Sequence, residues 1–331
     1  MSTGIANAKV ADQSKENADT TPLRVSFYWE NDGAVALKPN HNTDRHYTSG
    51  VGLSLTYQIK GAELGEDNAA PEGSAWGLLA GHEIYTPDNL LANPPDAQDR
   101  PYAGYAYLGG FWQRQQGDHL DHLQLNLGVV GPSARGEEVQ TWVHDTFTGD
   151  DPQGWDNQLA DEFAAQFTYR HKYRHKLPGF DPRQTDWDHQ IIPYAALNLG
   201  TVERSAEAGA IYRLGFKLPD DFGPDQLHDI GSFTASPELE PGWSAYGFAR
   251  VSGRYVEWNT FLEGSYAEDP SPSVSAEPWV GEGQVGVAVA YRGPHCQVEL
   301  VYGQTYLTRE FEEQDDDNGY GGLTLRWSSS F

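Results

Sequence analysis

The chain has 331 residues, with 48 Asp+Glu against 22 Lys+Arg and a formal net charge of −26. Nothing offsets repulsion from phosphates, so nucleic acid is excluded as a partner, and the single cysteine, Cys296, excludes a disulfide framework or a cysteine-based zinc site. With 36 Gly, 20 Pro, 10 Trp, 18 Tyr and 13 Phe, turn formers and aromatics point to many short strands rather than a helical bundle.

Residues 1–22 are polar and lack an apolar core, so they read as a flexible N-terminal segment, not a signal peptide. Residues 23–331 then form one domain. No stretch approaches the ~18 apolar residues of a spanning helix. A helical membrane protein is excluded; a membrane β-barrel is not, because its strand signal is weaker.

Period-2 alternation predicts about twelve strands, near 24–31, 46–59, 78–86, 101–115, 119–130, 163–176, 187–201, 205–217, 244–265, 281–292, 295–308 and 318–331. In the second, Val51, Leu53, Leu55 and Tyr57 alternate with Gly52, Ser54, Thr56 and Gln58. Successive side chains of a strand point to opposite faces, so each segment has one apolar face and one small or polar face. Polar insertions at 61–77, 87–100, 131–160, 218–243 and 266–280 separate some strands; tight turns separate others. Short turns at one end and long loops at the other are the mark of an outer-membrane barrel. A soluble barrel with an ordinary apolar core is the competing reading. Against it, the polar parity is rich in Gly, Ser, Thr, Gln and Asn rather than Lys and Glu, and aromatics cluster at strand ends.

Residues 134–147 break the strand pattern. Val139, Trp142, Val143 and Phe147 stand at helical spacing after Pro132-Ser133, and Glu137 and Glu138 fall in the first turn. A helix inside a long loop is expected, ended by Gly149-Asp150-Asp151-Pro152.

Several short constellations bear on chemistry. Glu30-Asn31-Asp32-Gly33 gathers oxygen donors suited to a hard cation, although Asn-Asp-Gly is also an ordinary turn. His144 sits on the predicted helix. Ser133 lies in a run whose second glycine comes one position late for a nucleophile elbow, so a serine nucleophile is rejected. HKYRH at 171–175 lacks the glutamate of a zinc-protease helix. The basic run Arg170–Lys176 reads equally as a solvated strand end or as a patch for anionic headgroups.

Taken together, Trp29-Glu30-Asn31-Asp32, Asp44-Arg45-His46-Tyr47-Thr48-Ser49-Gly50, Asp99-Arg100-Pro101-Tyr102-Ala103-Gly104, Val139-Gln140 with Val143-His144, and Gly154-Trp155-Asp156-Asn157-Gln158-Leu159 resemble the outer-membrane lipid A 3′-O-deacylase family. The resemblance runs in order over about residues 24–331. It implies an antiparallel up-and-down transmembrane β-barrel of twelve strands, with a site at the outer-leaflet end between the wall and a loop helix. It also implies a bacterial outer-membrane enzyme hydrolysing the 3′-linked acyloxyacyl ester of lipid A (lipopolysaccharide) with Ca2+, acting as a monomer. Carried over by motif, the catalytic set is His144, Asn31, Asp32 and Thr48, with Asp32 and Asp150 as metal ligands. The family's lysine near the third strand has no counterpart by motif, and Arg100 is the nearest cation for substrate binding. A non-catalytic barrel, porin or structural, and a soluble ligand-binding β-barrel are the rival readings.

Overall fold

The structure, a computed structural model, describes residues 23–36, 46–60, 72–147, 152–180, 185–224, 226–229, 241–266, 270–315 and 318–329. The alternating segments form β1 (Leu23–Asn31), β2 (His46–Lys60), β3 (Glu72–Thr86), β4 (Ala103–Gln116), β5 (His119–Val130), β6 (Glu162–Tyr173), β7 (His175–Lys176), β8 (Trp187–Gly200), β9 (Glu203–Phe216), β10 (Gly242–Asn259), β11 (Trp279–Arg292), β12 (Cys296–Leu307) and β13 (Asn318–Ser329). Every pairing is antiparallel. β7 continues β6 beyond Arg174, and both pair with β8, so the two make one stave of twelve. β1 pairs with β13 and β6 with β8, which closes the sheet and leaves no free edge.

The apolar parity faces outward. Phe27, Trp29, Val51, Leu53, Leu125, Leu127, Val287, Val289 and Trp327 are all exposed, while Ser26, Ser54, Thr56, Gln124, Asn126 and Arg326 on the other parity are buried. A soluble barrel would bury the first set as its core. This one presents it as a continuous belt, the arrangement a bilayer requires. No helix among the described residues is long and apolar enough to cross a membrane.

The helix appears as α1 (Gly136–Phe147), preceded by a 3-10 turn at Pro132–Ala134. Residues 148–151, including the expected stop signal, lie outside the described residues. Two local readings change. The predicted strand 244–265 ends at Asn259, where the Asn259 side chain accepts from Phe261 N–H and starts a one-turn helix, α2 (Thr260–Glu263). The insertion read as 61–77 gives up residues 72–77 to β3.

Long connections do not all share one end. Those at 32–45, 87–102, 131–161, 260–278 and 308–317 join strands at one rim, whereas 217–241 joins β9 to β10 at the rim where β1 begins and β13 ends. Its described part turns into the barrel. Phe222 packs with Ala75 and Leu120. Asp221 makes a buried ion pair with Arg213. Gln226 bonds Arg250, and the Leu227 N–H donates to Glu30 Oε1 at 2.9 Å. The described part of the segment thus occupies part of the lumen. Above the inserted segment lies a cavity of about 140 Å³ whose walls include Glu83, Tyr105, Glu207, Arg254, Phe261 and Glu282.

The basic run at 170–176 follows the strand period. Arg170, Lys172 and Arg174 are buried. Arg170 pairs with Glu207 at 3.6 Å; Arg174 pairs with Asp118 at 3.0 Å and Asp220 at 2.6 Å. The run closes β6 at the rim where β1 begins. Its inward half is paired inside the barrel, while His175 and Lys176 at its end are exposed.

Candidate active site

The helix-bearing loop folds back on the outside of the wall, where α1 touches β3 and β4. Gly104 on β4 permits the approach: a Cβ there would stand 3.0 Å from Gly136 N and 3.1 Å from its Cα. Gly131 N–H donates to Gly104 O at 2.9 Å, and the outward His82 of β3 lies 2.8 Å through Nε2 from Ala134 O. Trp155 wedges in beside Tyr102 and Ile84, and its Nε1 donates to Gln140 Oε1 at 2.8 Å.

The stripe that α1 buries is Gly136, Gln140 and His144, at successive i+4 positions on one face. His144 is only 3% exposed, whereas Trp142, part of the apolar stripe, is 64% exposed. As on the strands, the apolar side looks away from the protein and the polar side toward it. Gln140 Nε2 is buried with no hydrogen-bond partner among the described residues. An amide donor so placed, one turn before a buried histidine, is poised for a group not made of protein.

The same rim of the wall gathers Asn31, Thr48 and Thr86. Asn31 ends β1 with extended φ/ψ and caps the 3-10 turn Asp32–Ala34, its Oδ1 accepting from Gly33 N–H at 2.9 Å. Its Nδ2 donates to Thr48 O at 3.0 Å. Thr48 Oγ1 and Thr86 Oγ1 are 2.6 Å apart. Thr48 reaches this position because the β2–β3 register slips between Tyr47 and Ser49, a bulge that re-aims one side chain. Glu30 parts company with Asn31: it faces the lumen, where Tyr47 OH donates to it at 2.7 Å.

Asp32 is buried at the head of its turn. Asp150 lies outside the described residues. No group of three or more His, Cys, Asp or Glu suited to a metal occurs among the described residues. Asp32 fits calcium as one hard oxygen donor, of a kind that backbone carbonyls and amide oxygens can complete. Arg100 is 0% exposed, 5.3 Å over the ring of lumen-facing Tyr85 and 3.6 Å from Glu310. Its Nε, Nη1 and Nη2 are buried with no hydrogen-bond partner among the described residues. β3 carries no lysine. His82, unmarked by any sequence motif, is the basic side chain that β3 turns toward the helix.

A family model described as "Outer membrane protein LpxR" matches residues 2–329. The chain belongs to the LpxR outer membrane protein family. It resides in the outer membrane, and the twelve-stranded barrel spans it. Among solved structures the fold is similar to LpxR from Salmonella typhimurium, at 20% identity over 93% of this chain and 100% of that one, with a TM-score of 0.71. The β domain of the Bordetella autotransporter BrkA overlaps with a TM-score of 0.47 at 11% identity, covering 94% of this chain and 99% of that one. The transport unit of the Escherichia coli autotransporter AIDA-I gives 0.42 at 11%, covering 96% and 92%. At that overlap neither bears on fold or function. A search of curated protein sequences returns no match. Family barrels keep short turns on the periplasmic side and longer loops outside, which puts α1 and the site at the extracellular end.

Proposed function

We propose that the protein is a lipid A 3′-O-deacylase, hydrolysing the 3′-linked acyloxyacyl ester of lipopolysaccharide in the outer leaflet. One observation carries the reading. The family's helix is docked against the outside of the wall at the outer-leaflet end, with His144 buried on its inward face. A lipid substrate reaches such a seam sideways from the membrane, without entering the lumen. The segment inserted in the lumen weighs against a porin, and the exposed apolar belt against a soluble ligand-binding barrel.

Ester hydrolysis needs a base for the attacking water and donors for the oxyanion. His144 takes the proton from water, which attacks the ester carbonyl carbon. The tetrahedral oxyanion is met by the Gln140 amide, whose Oε1 is already occupied by Trp155. His144 then returns the proton to the departing 3′ oxygen of the sugar. The Asn31 amide spends one N–H on Thr48 O and keeps the other for the substrate. Thr48 and Thr86 set the hydroxyl position beside it. When bound, calcium would polarise the ester carbonyl as a Lewis acid, with Asp32 and Asp150 among its ligands. Arg100 remains the cation for the substrate phosphates, and His82, which β3 turns toward the helix loop, is a second basic side chain on that face.

The test is mass spectrometry of lipid A incubated with the purified barrel. The wild-type chain releases the 3′ acyloxyacyl group, His144→Ala lowers the rate at least about 100-fold, and chelation of calcium stops release reversibly. Undiminished release by His144→Ala sinks the mechanism.

A further inference from the structure

The wall behind the site is only one strand thick, and its two faces are built from chain neighbours. Outside stand Asn31, Thr48 and Thr86; next to each in sequence, inside, stand Glu30, Tyr47 and Tyr85. The outer residues are joined by Asn31 Nδ2 to Thr48 O at 3.0 Å and by Thr48 Oγ1 to Thr86 Oγ1 at 2.6 Å. The inner ones are joined by Tyr47 OH to Glu30 Oε2 at 2.7 Å and Tyr85 OH to Glu83 Oε2 at 2.6 Å.

The inserted segment bridges those two inner pairs. Leu227 N–H donates to Glu30 Oε1 at 2.9 Å, and His228 Nε2 lies 3.2 Å from Glu83 Oε2. β2 is shaped to receive it. A Cβ at Gly52 would stand 2.2 Å from Leu227 Cδ1, and one at Gly50 would meet the Tyr47 hydroxyl at 2.0 Å and Leu227 Cδ2 at 2.6 Å. Any larger residue there would have to displace the Leu227 side chain. The bulge at Thr48 sits directly beside it, and a bulge holds a re-aimed side chain only while its surroundings fix it.

We propose that Leu227 and His228 are positioning residues for the outer-leaflet site: from the lumen they lock Glu30–Tyr47 to Glu83–Tyr85, and so fix the Thr48–Thr86 pair and Asn31 on the far face. A segment entering from the periplasmic rim thus sets catalytic geometry at the opposite leaflet. This rests on the deacylase reading of the site.

His228 faces Glu83 on β3, Glu30 on β1, Glu203 on β9, Glu282 on β11 and the Tyr47 ring on β2 at 5.7 Å; Arg170 on β6 donates to its backbone oxygen. Half of its side-chain surface opens on the internal cavity. Burial works to lower its pKa, but Glu83, then Glu30 and Glu203, outweigh it and hold it at about 9.

The experiment uses the full chain in mixed micelles with lipid A, comparing wild type, His228→Ala, His228→Gln and Gly52→Val. None of these touches the outer face. His228→Ala and Gly52→Val are expected to lower kcat about tenfold or more, since small misplacements cost rate steeply, with KM changed by no more than about twofold. His228→Gln, which keeps a donor toward Glu83, restores most of kcat at pH 7. Wild-type kcat falls as pH rises through about 9, and His228→Gln lacks that limb. In parallel, hydrogen exchange is expected to quicken at 46–49 and 84–86 in His228→Ala while β9–β12 keep their protection. Unchanged kcat with unchanged exchange overturns the link. If the wild-type barrel releases no acyl group at all, the deacylase reading falls, and the exchange result alone decides the link.

Discussion

Asp220 and Asp221 are neighbours with the same charge and should respond to the same substitution very differently. Asp221 faces Arg213, which is 0% exposed. Unit charges about 4 Å apart attract by about 4 kcal/mol at an effective dielectric near 20. Breaking a buried pair by removing one partner costs about 3–5 kcal/mol, because the other charge is stranded. Here Arg213 Nη2 still donates to Gln190 Oε1 at 3.1 Å, Pro219 O at 2.9 Å and Asp221 O at 2.8 Å, so Asp221→Asn should cost about 3 kcal/mol, the lower end of that range. Asp220 is 26% exposed on its side chain and shares Arg174 with Asp118, so Asp220→Asn should cost under about 1 kcal/mol. Urea unfolding in micelles, followed by tryptophan fluorescence and extrapolated linearly, measures both. Equal effects, or Asp221→Asn within about 1 kcal/mol of wild type, would refute the reasoning. The acid dependence carries the same sign. Burial raises the Asp221 carboxyl, but Arg213 outweighs it and holds the group below the ordinary 3.8. Its contribution is therefore present above that value and lost as pH falls through the depressed one.

Three further outcomes follow from the same geometry. Gly104→Val should push the Gly136 backbone off β4, abolishing deacylation while barrel unfolding in urea moves by less than about 2 kcal/mol; full activity would show that docking of α1 is dispensable. Thr48→Val should cost about 1 kcal/mol by leaving Thr86 Oγ1 without its hydroxyl partner, and lipid A mass spectrometry should show slower release. For His228, held at about 9 against an ordinary 6.5, the stabilisation is complete below pH 6.5 and disappears as pH rises through 9, so melting measured between pH 6 and 10 should drop in wild type and stay flatter in His228→Gln.

The strands were legible because a two-residue period is local: twelve alternating stretches became twelve staves, with ends shifted by a few residues. Which parity faces out is not local, and alternation alone leaves it open. Gly, Ser, Thr, Gln and Asn on the opposite parity decided it, since a surface meeting bulk water would carry Lys and Glu. On α1 the spacing of Val139, Trp142 and Val143 located the helix, but the buried stripe proved to be Gly136, Gln140 and His144. The inserted segment escaped detection for a plain reason. Leu227 meets Glu30 197 positions away and Gln226 meets Thr305 79 positions away, so the segment itself shows only a polar loop. The one hint was on β2, where Gly50 and Gly52 leave an unfilled place in an otherwise well-patterned strand. Arg100, within a family motif, lies on the lumen side because its neighbours Tyr85 and Glu310 do; nothing in Asp-Arg-Pro states on which side of a wall it will fall.

The seam between β1 and β13 carries a consequence for how the molecule is made. Arg24 meets Ser328, Asn31 meets Gly321, and Leu23 N–H donates to Ser329 Oγ at 3.1 Å. The first stave synthesised is therefore completed only by the last. Without those final residues β1 and β12 would each keep an unpaired border, able to recruit a stranger. A chain cut short by its last stave should not be a slightly weaker barrel. It should be an open sheet, cleared by proteases or lost to aggregation before it reaches the membrane.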